Sequence, residues 1–243
     1  MLNKTPRQDT IPLLIILPYA GGSASAFYKW SSYLKDTATV QAIEYAGHGT
    51  RFRVPLPNDF QAFVQDALLQ VESIIHKTDS SFWLFGHSLG GVVAAYISCV
   101  LHQKYGVRLK GVILSSCLPP ACLVKRNHRL SSDSEIIEYL CVERNVSRQL
   151  VCSHEFITYI LPAIRNDFQI LNEFSPVRLE ELPSPVFCIW GNMDYGIRRE
   201  DMDGWQLHVK EPIRWCPTAG THFYFEEYEV DAMALLQEII NSY

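Results

Sequence analysis

The sequence predicts an α/β fold, in which a mostly parallel central sheet carries helices on both faces. Short apolar runs alternate along the chain with segments of helical periodicity, a pattern typical of strand–helix units. The runs are apolar almost throughout, as in strands that are covered on both sides. The length of 243 residues suffices to bury a sizeable core, so we expect a single domain over residues 1–243.

Six apolar runs are predicted to be the strands of this sheet. They are LLIIL at 13–17, ATVQAIEY at 38–45, FWLF at 82–85, LKGVILSS at 109–116, PVFCIW at 185–190 and PIRWCP at 212–217. Apolar residues at helical spacing predict an amphipathic helix over 60–75 and a closing helix from Asp231 to Ile240. The segment from Leu89 to about Lys104 is apolar almost all round, which indicates a buried helix.

The alternation stops between Pro119 and Pro183, where helical patterns follow one another without a convincing strand. An insertion of about sixty residues is longer than a connection between two strands needs. We expect residues 119–183 to form a helical lid over the carboxyl edge of the sheet, where open α/β sheets bind ligands. The alternative is that these helices simply flank the sheet.

Composition limits the function classes. The net charge is −5 and no run of Lys or Arg occurs, so we expect no nucleic-acid partner. The apolar run near the N-terminus ends at Pro18 and is too short to span a bilayer. The seven cysteines are scattered and form no C-x-x-C, which favours reduced, buried thiols in a cytoplasmic protein. We expect a monomer with neither a metal nor a cofactor.

The stretch WLFGHSLGGVV, from Trp83 to Val93, places Ser88 between Gly86 and Gly90. A G-x-S-x-G pattern between a strand and a helix is the nucleophile elbow of the α/β-hydrolase fold. The serine backbone there is strained, and side chains at the two glycines would collide with neighbouring backbone. The rival interpretation is a helix cap without chemistry.

A serine nucleophile needs a base and an acid that orients it. Of eight histidines, His222 lies between the last predicted strand and the closing helix, whereas His87 is expected to support the site from behind. Asp194 follows the strand at 185–190, which gives the chain order serine, acid, histidine. The competing acids, Asp201 and Asp203, come later in an apparent helix.

The oxyanion that forms when a carbonyl is attacked needs hydrogen-bond donors. One candidate is the backbone N–H of Leu89, directly after the serine. The other is expected in the loop LPYAGGSAS after the first strand, where we favour Ala20 over Tyr19.

With these residues assembled, the chain resembles the type II thioesterase family, the stand-alone editing enzymes of nonribosomal peptide and polyketide synthases. The matching segments, in the family's order, are LPYAGGSASAFYKW, EYAGHGTRF, LFGHSLGGVVA, GNMD and GTHFYF. The resemblance implies hydrolysis of acyl groups from the phosphopantetheine thiol of acyl or peptidyl carrier proteins. It also implies that Ser88, Asp194 and His222 are the triad and that residues 119–183 are a mobile lid.

Two positions depart from the family's pattern. Tyr195 and Gly196 follow the predicted acid, and His48 stands where relatives often carry arginine. For Arg51, in the same loop, a surface role in a turn is the simpler interpretation. Two other functions remain open: a carboxylesterase of small free esters, with the same triad, and a non-catalytic interaction protein that keeps the fold as a scaffold.

Overall fold

A computed structural model describes residues 11–125, 130, 132–172, 179 and 181–243. Its centre is a six-stranded sheet in the order β2-β1-β3-β4-β5-β6, with every neighbouring pair parallel. The strands are β1 (Leu13–Leu17), β2 (Thr39–Ala42), β3 (Phe82–His87), β4 (Leu109–Ser115), β5 (Val186–Gly191) and β6 (Arg214–Thr218). Each predicted run overlaps one of these strands, and β3, β5 and β6 continue beyond the ends of their runs.

The two edge strands differ most from the prediction. β2 spans four residues of the predicted eight, and residues of β2 and β6 are exposed or half-buried. The four central strands are buried almost completely. An edge strand has a neighbour on one side only, so it is less covered than the apolar pattern predicted.

Helices cover both faces of the sheet, and alternate residues of β1 show the two layers. Leu13, Ile15 and Leu17 belong to one core cluster, while Leu14 and Ile16 belong to another. The first cluster packs beneath α2 (Phe60–Ile75) and α3 (Leu89–Tyr105). The second packs beneath α1 (Trp30–Tyr33) and α10 (Glu229–Asn241). No described helix is long and apolar enough to cross a membrane.

The described part of the segment between β4 and β5 consists of helices joined by turns and loops, and we call residues 119–183 the helical insertion. It contains α4 (Pro120–Lys125), α5 (Asp133–Val142), α6 (Arg148–Val151) and α7 (Leu161–Asn172), with a π-helical turn at Phe156–Ile160. Five buried side chains form a core cluster separate from those of the sheet, namely Ile136, Val151, Phe156, Leu161 and Ile164. Two short helices complete the chain, α8 (Arg199–Met202) and α9 (Tyr224–Glu227).

Helix α7 attaches the insertion to loops at the carboxyl ends of β1 and β2. Asn166 Nδ2 donates to the Pro57 carbonyl at 2.9 Å, and the fully buried Asp167 accepts from the Gly21 N–H at 2.7 Å. Asp167 Oδ2 also lies 3.0 Å from His48 Nε2. The insertion therefore contacts the carboxyl edge of the sheet.

Arg51 and His48, which lie in the second of these loops, have carboxylate partners on α2 and α7. The Arg51 guanidinium binds both carboxylate oxygens of Asp66 on α2, at 2.7 and 2.8 Å, and donates to the Glu44 carbonyl. Burial lowers the pKa of His48, but its contact with Asp167 outweighs burial, so this pKa is raised overall. Protonated His48 therefore stabilises the fold.

The contribution of His48 to stability depends on pH. Because folding raises its pKa, the stabilisation is complete below the unfolded pKa, about 6.5, and disappears as the pH rises through the folded pKa. Each unit of pKa difference is worth about 1.4 kcal/mol. Urea unfolding of wild type and His48→Gln should therefore give a large difference in the free energy of unfolding near pH 5 and a small one near pH 9.

The exposed His102 on α3 provides the matched control, since His102→Gln should change the free energy of unfolding little at either pH. A wild-type advantage over His48→Gln that grows with pH would contradict this assignment.

Candidate active site

Ser88 lies at a sharp turn between β3 and α3, with φ of 53° and ψ of −116°. This left-handed conformation is strained for a residue with a side chain. A Cβ added to Gly86 would overlap the Gly90 carbonyl, and one added to Gly90 would overlap the Leu17 carbonyl. The turn therefore requires both glycines, and the start of α3 lies directly against the end of β1.

Asp194 lies in the loop that follows β5 and is 6% exposed. Its Oδ1 accepts hydrogen bonds from the N–H groups of Gly196 and Ile197, each at 2.9 Å. Its Oδ2 lies 2.7 Å from His222 Nδ1. Two backbone donors thus fix the carboxylate, and its second oxygen is available to orient the imidazole.

The competing carboxylates are engaged elsewhere. Asp201 Oδ2 accepts from the Arg198 N–H at 3.0 Å, at the start of α8. Asp203 forms an ion pair with Arg199. Of the three acids considered from the sequence, Asp194 is the one that the structure places on His222.

His222 lies between β6 and α9, and its side chain is 24% exposed. Its ring centroid is 4.7 Å from that of His87 and 4.9 Å from that of Phe223. Because His87 directly precedes Ser88, the His222 imidazole lies beside the elbow. The structure thus brings the predicted base, its acid and the elbow to one edge of the sheet.

His87 supports this arrangement from the interior. It is fully buried, and its Nδ1 lies 2.9 Å from Ser115 Oγ, which in turn lies 2.7 Å from the Tyr224 hydroxyl. Burial, and then the neighbouring His222, hold the pKa of His87 well below its usual value. His87 therefore stays neutral and places no positive charge behind the ring of His222.

The two candidate oxyanion donors are free to bind a ligand. Within the described part of the chain, the backbone N–H groups of Ala20 and Leu89 have no hydrogen-bond partner. Ala20 lies in a turn that the Gly22 N–H closes on the Tyr19 carbonyl at 2.8 Å, with Gly21 at φ of +74°. The alternative donor, Tyr19, lies one residue earlier in the same turn.

Two residues of the insertion, Arg144 and Asp167, contact the site although the sequence did not predict a role for either. Arg144 lies between α5 and α6. Its guanidinium carbon is 3.3 Å from the Phe223 ring centroid, and its Nη2 is 2.9 Å from Glu226 Oε1. These partners lie about 80 residues away in sequence, so no local sequence pattern predicts the contacts. Asp167 could have been singled out from the sequence, because its carboxylate interrupts the apolar stripe of α7 between Ile164 and Leu171.

A cavity of about 400 Å³ lies between the insertion and the loops that follow β1 and β2. Gly21 and His48 line it from the loops, and Tyr159, Ile160 and Ile164 line it from the insertion. This volume is within the usual range of small-molecule sites, and Gly21 directly follows the candidate donor Ala20. The cavity therefore lies beside the loop that carries this candidate donor.

The seven cysteines are free thiols, but only Cys99, Cys117 and Cys188 are buried and Cys152 is exposed. The expectation that they are generally buried is therefore wrong. Across the described residues, no group of three or more His, Cys, Asp or Glu side chains is arranged to hold a metal ion.

Comparison with known proteins agrees with this geometry. A sequence model of the thioesterase domain matches residues 12–242. The gramicidin S biosynthesis protein GrsT of Aneurinibacillus migulanus is 25% identical over 225 residues, which cover 92% of this chain and 86% of GrsT. Thioesterase PikA5 of Streptomyces venezuelae is 25% identical over 222 residues, which cover 91% and 78% of the two chains.

Solved structures extend the similarity to three dimensions. ClbQ, from the colibactin NRPS/PKS pathway, superimposes with a TM-score of 0.82 at 26% identity and covers 96% of this chain and 98% of its own. BorB, the type II thioesterase from the borrelidin biosynthetic cluster, gives a TM-score of 0.79 at 25% identity, with 97% and 95% covered. The predicted α/β-hydrolase fold is thus confirmed, and the chain belongs to the thioesterase domain family.

Proposed function

We propose that this protein is a serine hydrolase that removes acyl groups from the phosphopantetheine arm of carrier proteins, clearing mis-primed or stalled nonribosomal peptide or polyketide assembly lines. The observation that carries the proposal is the 2.7 Å contact between Asp194 and His222, beside the strained turn at Ser88. Similarity to type II thioesterases over nearly the whole chain supports the choice of substrate.

Acylation of Ser88 is the first half of the proposed reaction. His222 Nε2 takes the proton of the Ser88 hydroxyl while Ser88 Oγ attacks the thioester carbonyl. The backbone N–H groups of Leu89 and Ala20 stabilise the oxyanion of the tetrahedral intermediate, and the N-terminus of α3 favours the same negative charge. Collapse of the intermediate breaks the C–S bond, and the departing thiol takes its proton from His222.

Hydrolysis of the acyl-serine is the second half. His222 removes a proton from a water molecule, which attacks the ester carbonyl in the same oxyanion site. The second intermediate releases the carboxylic acid and returns the proton to Ser88 Oγ. Throughout, Asp194 stabilises the imidazolium form of His222 and holds its Nδ1–H in place.

The insertion is proposed to act as the lid of this site. It contacts the candidate oxyanion loop through Asp167 and the His222 loop through Arg144, so its displacement changes access from two sides. A thioester carbonyl has two substituents, the acyl chain and the arm, and the cavity beside Gly21 can take one of them. The carrier protein then docks at the rim of the insertion in a weak, transient contact.

The nucleophile is tested with Ser88→Ala. This change removes the attacking oxygen, so hydrolysis of acyl thioesters should fall by about 10⁴-fold or more while the thermal unfolding temperature stays close to that of wild type. A fluorophosphonate should label wild type on the peptide that contains Ser88 and leave the variant unlabelled. Retained hydrolysis in Ser88→Ala would assign the nucleophile elsewhere.

The acid is tested with Asp194→Asn. An amide at this position favours the wrong imidazole tautomer, so kcat should fall by about 10⁴-fold with little change in KM. Asp201→Asn is the matched control, because its carboxylate caps α8, and it should retain kcat within about twofold. Equal losses in the two variants would remove Asp194 from the mechanism.

The substrate class is tested by offering one acyl group on two leaving groups, a phosphopantetheinylated carrier protein and a simple alcohol. We expect a higher kcat/KM for the carrier-bound thioester, because the thiol leaves readily and the carrier adds contacts with the protein. A strong preference for the alcohol ester would favour the carboxylesterase. Absence of turnover on both, with no fluorophosphonate labelling, would favour the non-catalytic scaffold.

A further inference from the structure

Asp167 is a buried carboxylate outside the proposed triad, and a single oxygen makes its contacts with loop groups. Asp167 Oδ2 accepts from the Gly21 N–H at 2.7 Å and lies 3.0 Å from His48 Nε2. Its other oxygen, Oδ1, is buried and has no hydrogen-bond partner among the described residues. An isolated buried carboxylate is strongly unfavourable, so this side chain needs its two partners.

The surroundings of His48 show why it is the countercharge. Its Nδ1 lies 3.0 Å from the Ala46 carbonyl, and its Nε2 faces the Asp167 carboxylate. Either neutral tautomer would place a nitrogen lone pair beside one of these acceptors, whereas the imidazolium carries a proton on both nitrogens and a charge opposite to that of Asp167. The other titratable groups facing His48 are Glu44, which also favours its protonated form, and the Tyr45 ring.

The Gly21 N–H that Asp167 binds belongs to the central peptide of the turn at residues 19–22. The Tyr19 carbonyl accepts from the Gly22 N–H at 2.8 Å, and Gly21 has φ of +74°, values typical of a type II turn. Type I and type II turns differ by a flip of this central peptide. A buried acceptor on the Gly21 N–H therefore selects the type II form.

The same turn orients the candidate oxyanion donor. The Ala20 N–H shares a trans peptide with the Tyr19 carbonyl, so the two groups point in opposite directions. While that carbonyl is held by Gly22 inside the turn, the Ala20 N–H points out of it, without a partner among the described residues. Fixing both peptides of the turn fixes the direction of this donor.

We propose that Asp167 is a positioning residue of the oxyanion hole: through the Gly21 N–H it holds the turn at 19–22 so that the Ala20 N–H is directed at the reacting carbonyl, and protonated His48 neutralises its charge. Because Asp167 belongs to α7, the oxyanion hole is fully ordered only when the helical insertion is seated on the loops. This inference rests on the serine hydrolase function proposed above.

The experiment compares Asp167→Ala with Asn166→Ala, its neighbour on α7. Both changes remove contacts between α7 and a loop. Asp167 contacts Gly21 and His48, whereas Asn166 binds the Pro57 carbonyl, outside the turn. Kinetics are measured with a soluble acyl thioester, and the affinity for an alkylboronic acid is measured in parallel. The boronic acid forms a tetrahedral adduct with Ser88 Oγ and places an oxygen in the oxyanion hole.

In Asp167→Ala we expect kcat to fall by about 10- to 100-fold, KM to stay within about threefold, and boronate affinity to fall in proportion to kcat. Asn166→Ala should retain kcat and boronate affinity within about threefold. Asp167→Asn keeps a neutral acceptor of the same size, so its kcat should fall by about three- to tenfold, between wild type and Asp167→Ala.

The inference is overturned if Asp167→Ala retains kcat, if its loss lies in KM, or if Asn166→Ala shows the same loss. If Asp167→Ala does not fold, Asp167→Asn decides: a loss confined to kcat and boronate affinity supports the assignment, and kcat within twofold of wild type overturns it. These results are distinct from failure of the proposed function, in which wild type is inactive or Ser88→Ala retains activity.

Discussion

The left-handed backbone of Ser88 is the constraint on which the rest of the site depends. It holds the hydroxyl at the end of β3 and the start of α3, and it exists only because Gly86 and Gly90 leave room for neighbouring backbone. The all-parallel sheet brings the loops after β1, β3, β5 and β6 to the same edge. Four segments that are distant in sequence therefore meet around one strained residue.

Two aspartate–histidine pairs lie at this edge, and their surroundings separate their roles. Asp194 uses one oxygen for two backbone donors and the other for His222, whose side chain remains 24% exposed. Asp167 uses one oxygen for both partners, and the side chain of His48 is only 5% exposed. The first pair engages Nδ1 of its histidine and leaves Nε2 available for the proton transfer that we propose. In the second pair, Nδ1 faces the Ala46 carbonyl and Nε2 faces the Asp167 carboxylate, so the pair holds protein segments together.

Features that obey local rules are mostly predictable from the sequence. Apolar runs locate the six strands of the described sheet, because buried strands need apolar side chains. Glycine spacing locates the elbow, because steric requirements of the backbone act within a few residues. The length of β2 was overestimated, because apolarity does not reveal which strand lies at the edge. The contact of Arg144 with Glu226 was not predicted, because it depends on how the insertion packs against the loop after β6 and not on residues near Arg144 in sequence.

The predicted acid and base illustrate the same division. Chain order and loop position select Asp194 and His222, whose side chains are in contact in the structure. The hydrogen bond that engages Asp201 at the start of α8 is visible only in the structure. The neutral state of His87 is likewise visible only in the structure, because it results from burial and from the neighbouring His222, which lower the pKa of His87.

The separate core of the helical insertion affects which amino-acid substitutions the protein can accept during evolution. Its five buried side chains pack with one another rather than with the clusters on the two faces of the sheet. Substitutions inside that small core are thus largely decoupled from the stability of the strands that carry the reactive groups. Natural variation can accordingly alter the interior of the insertion while the strands of the sheet keep their packing, provided that the contacts of α7 with the loop after β1 are kept.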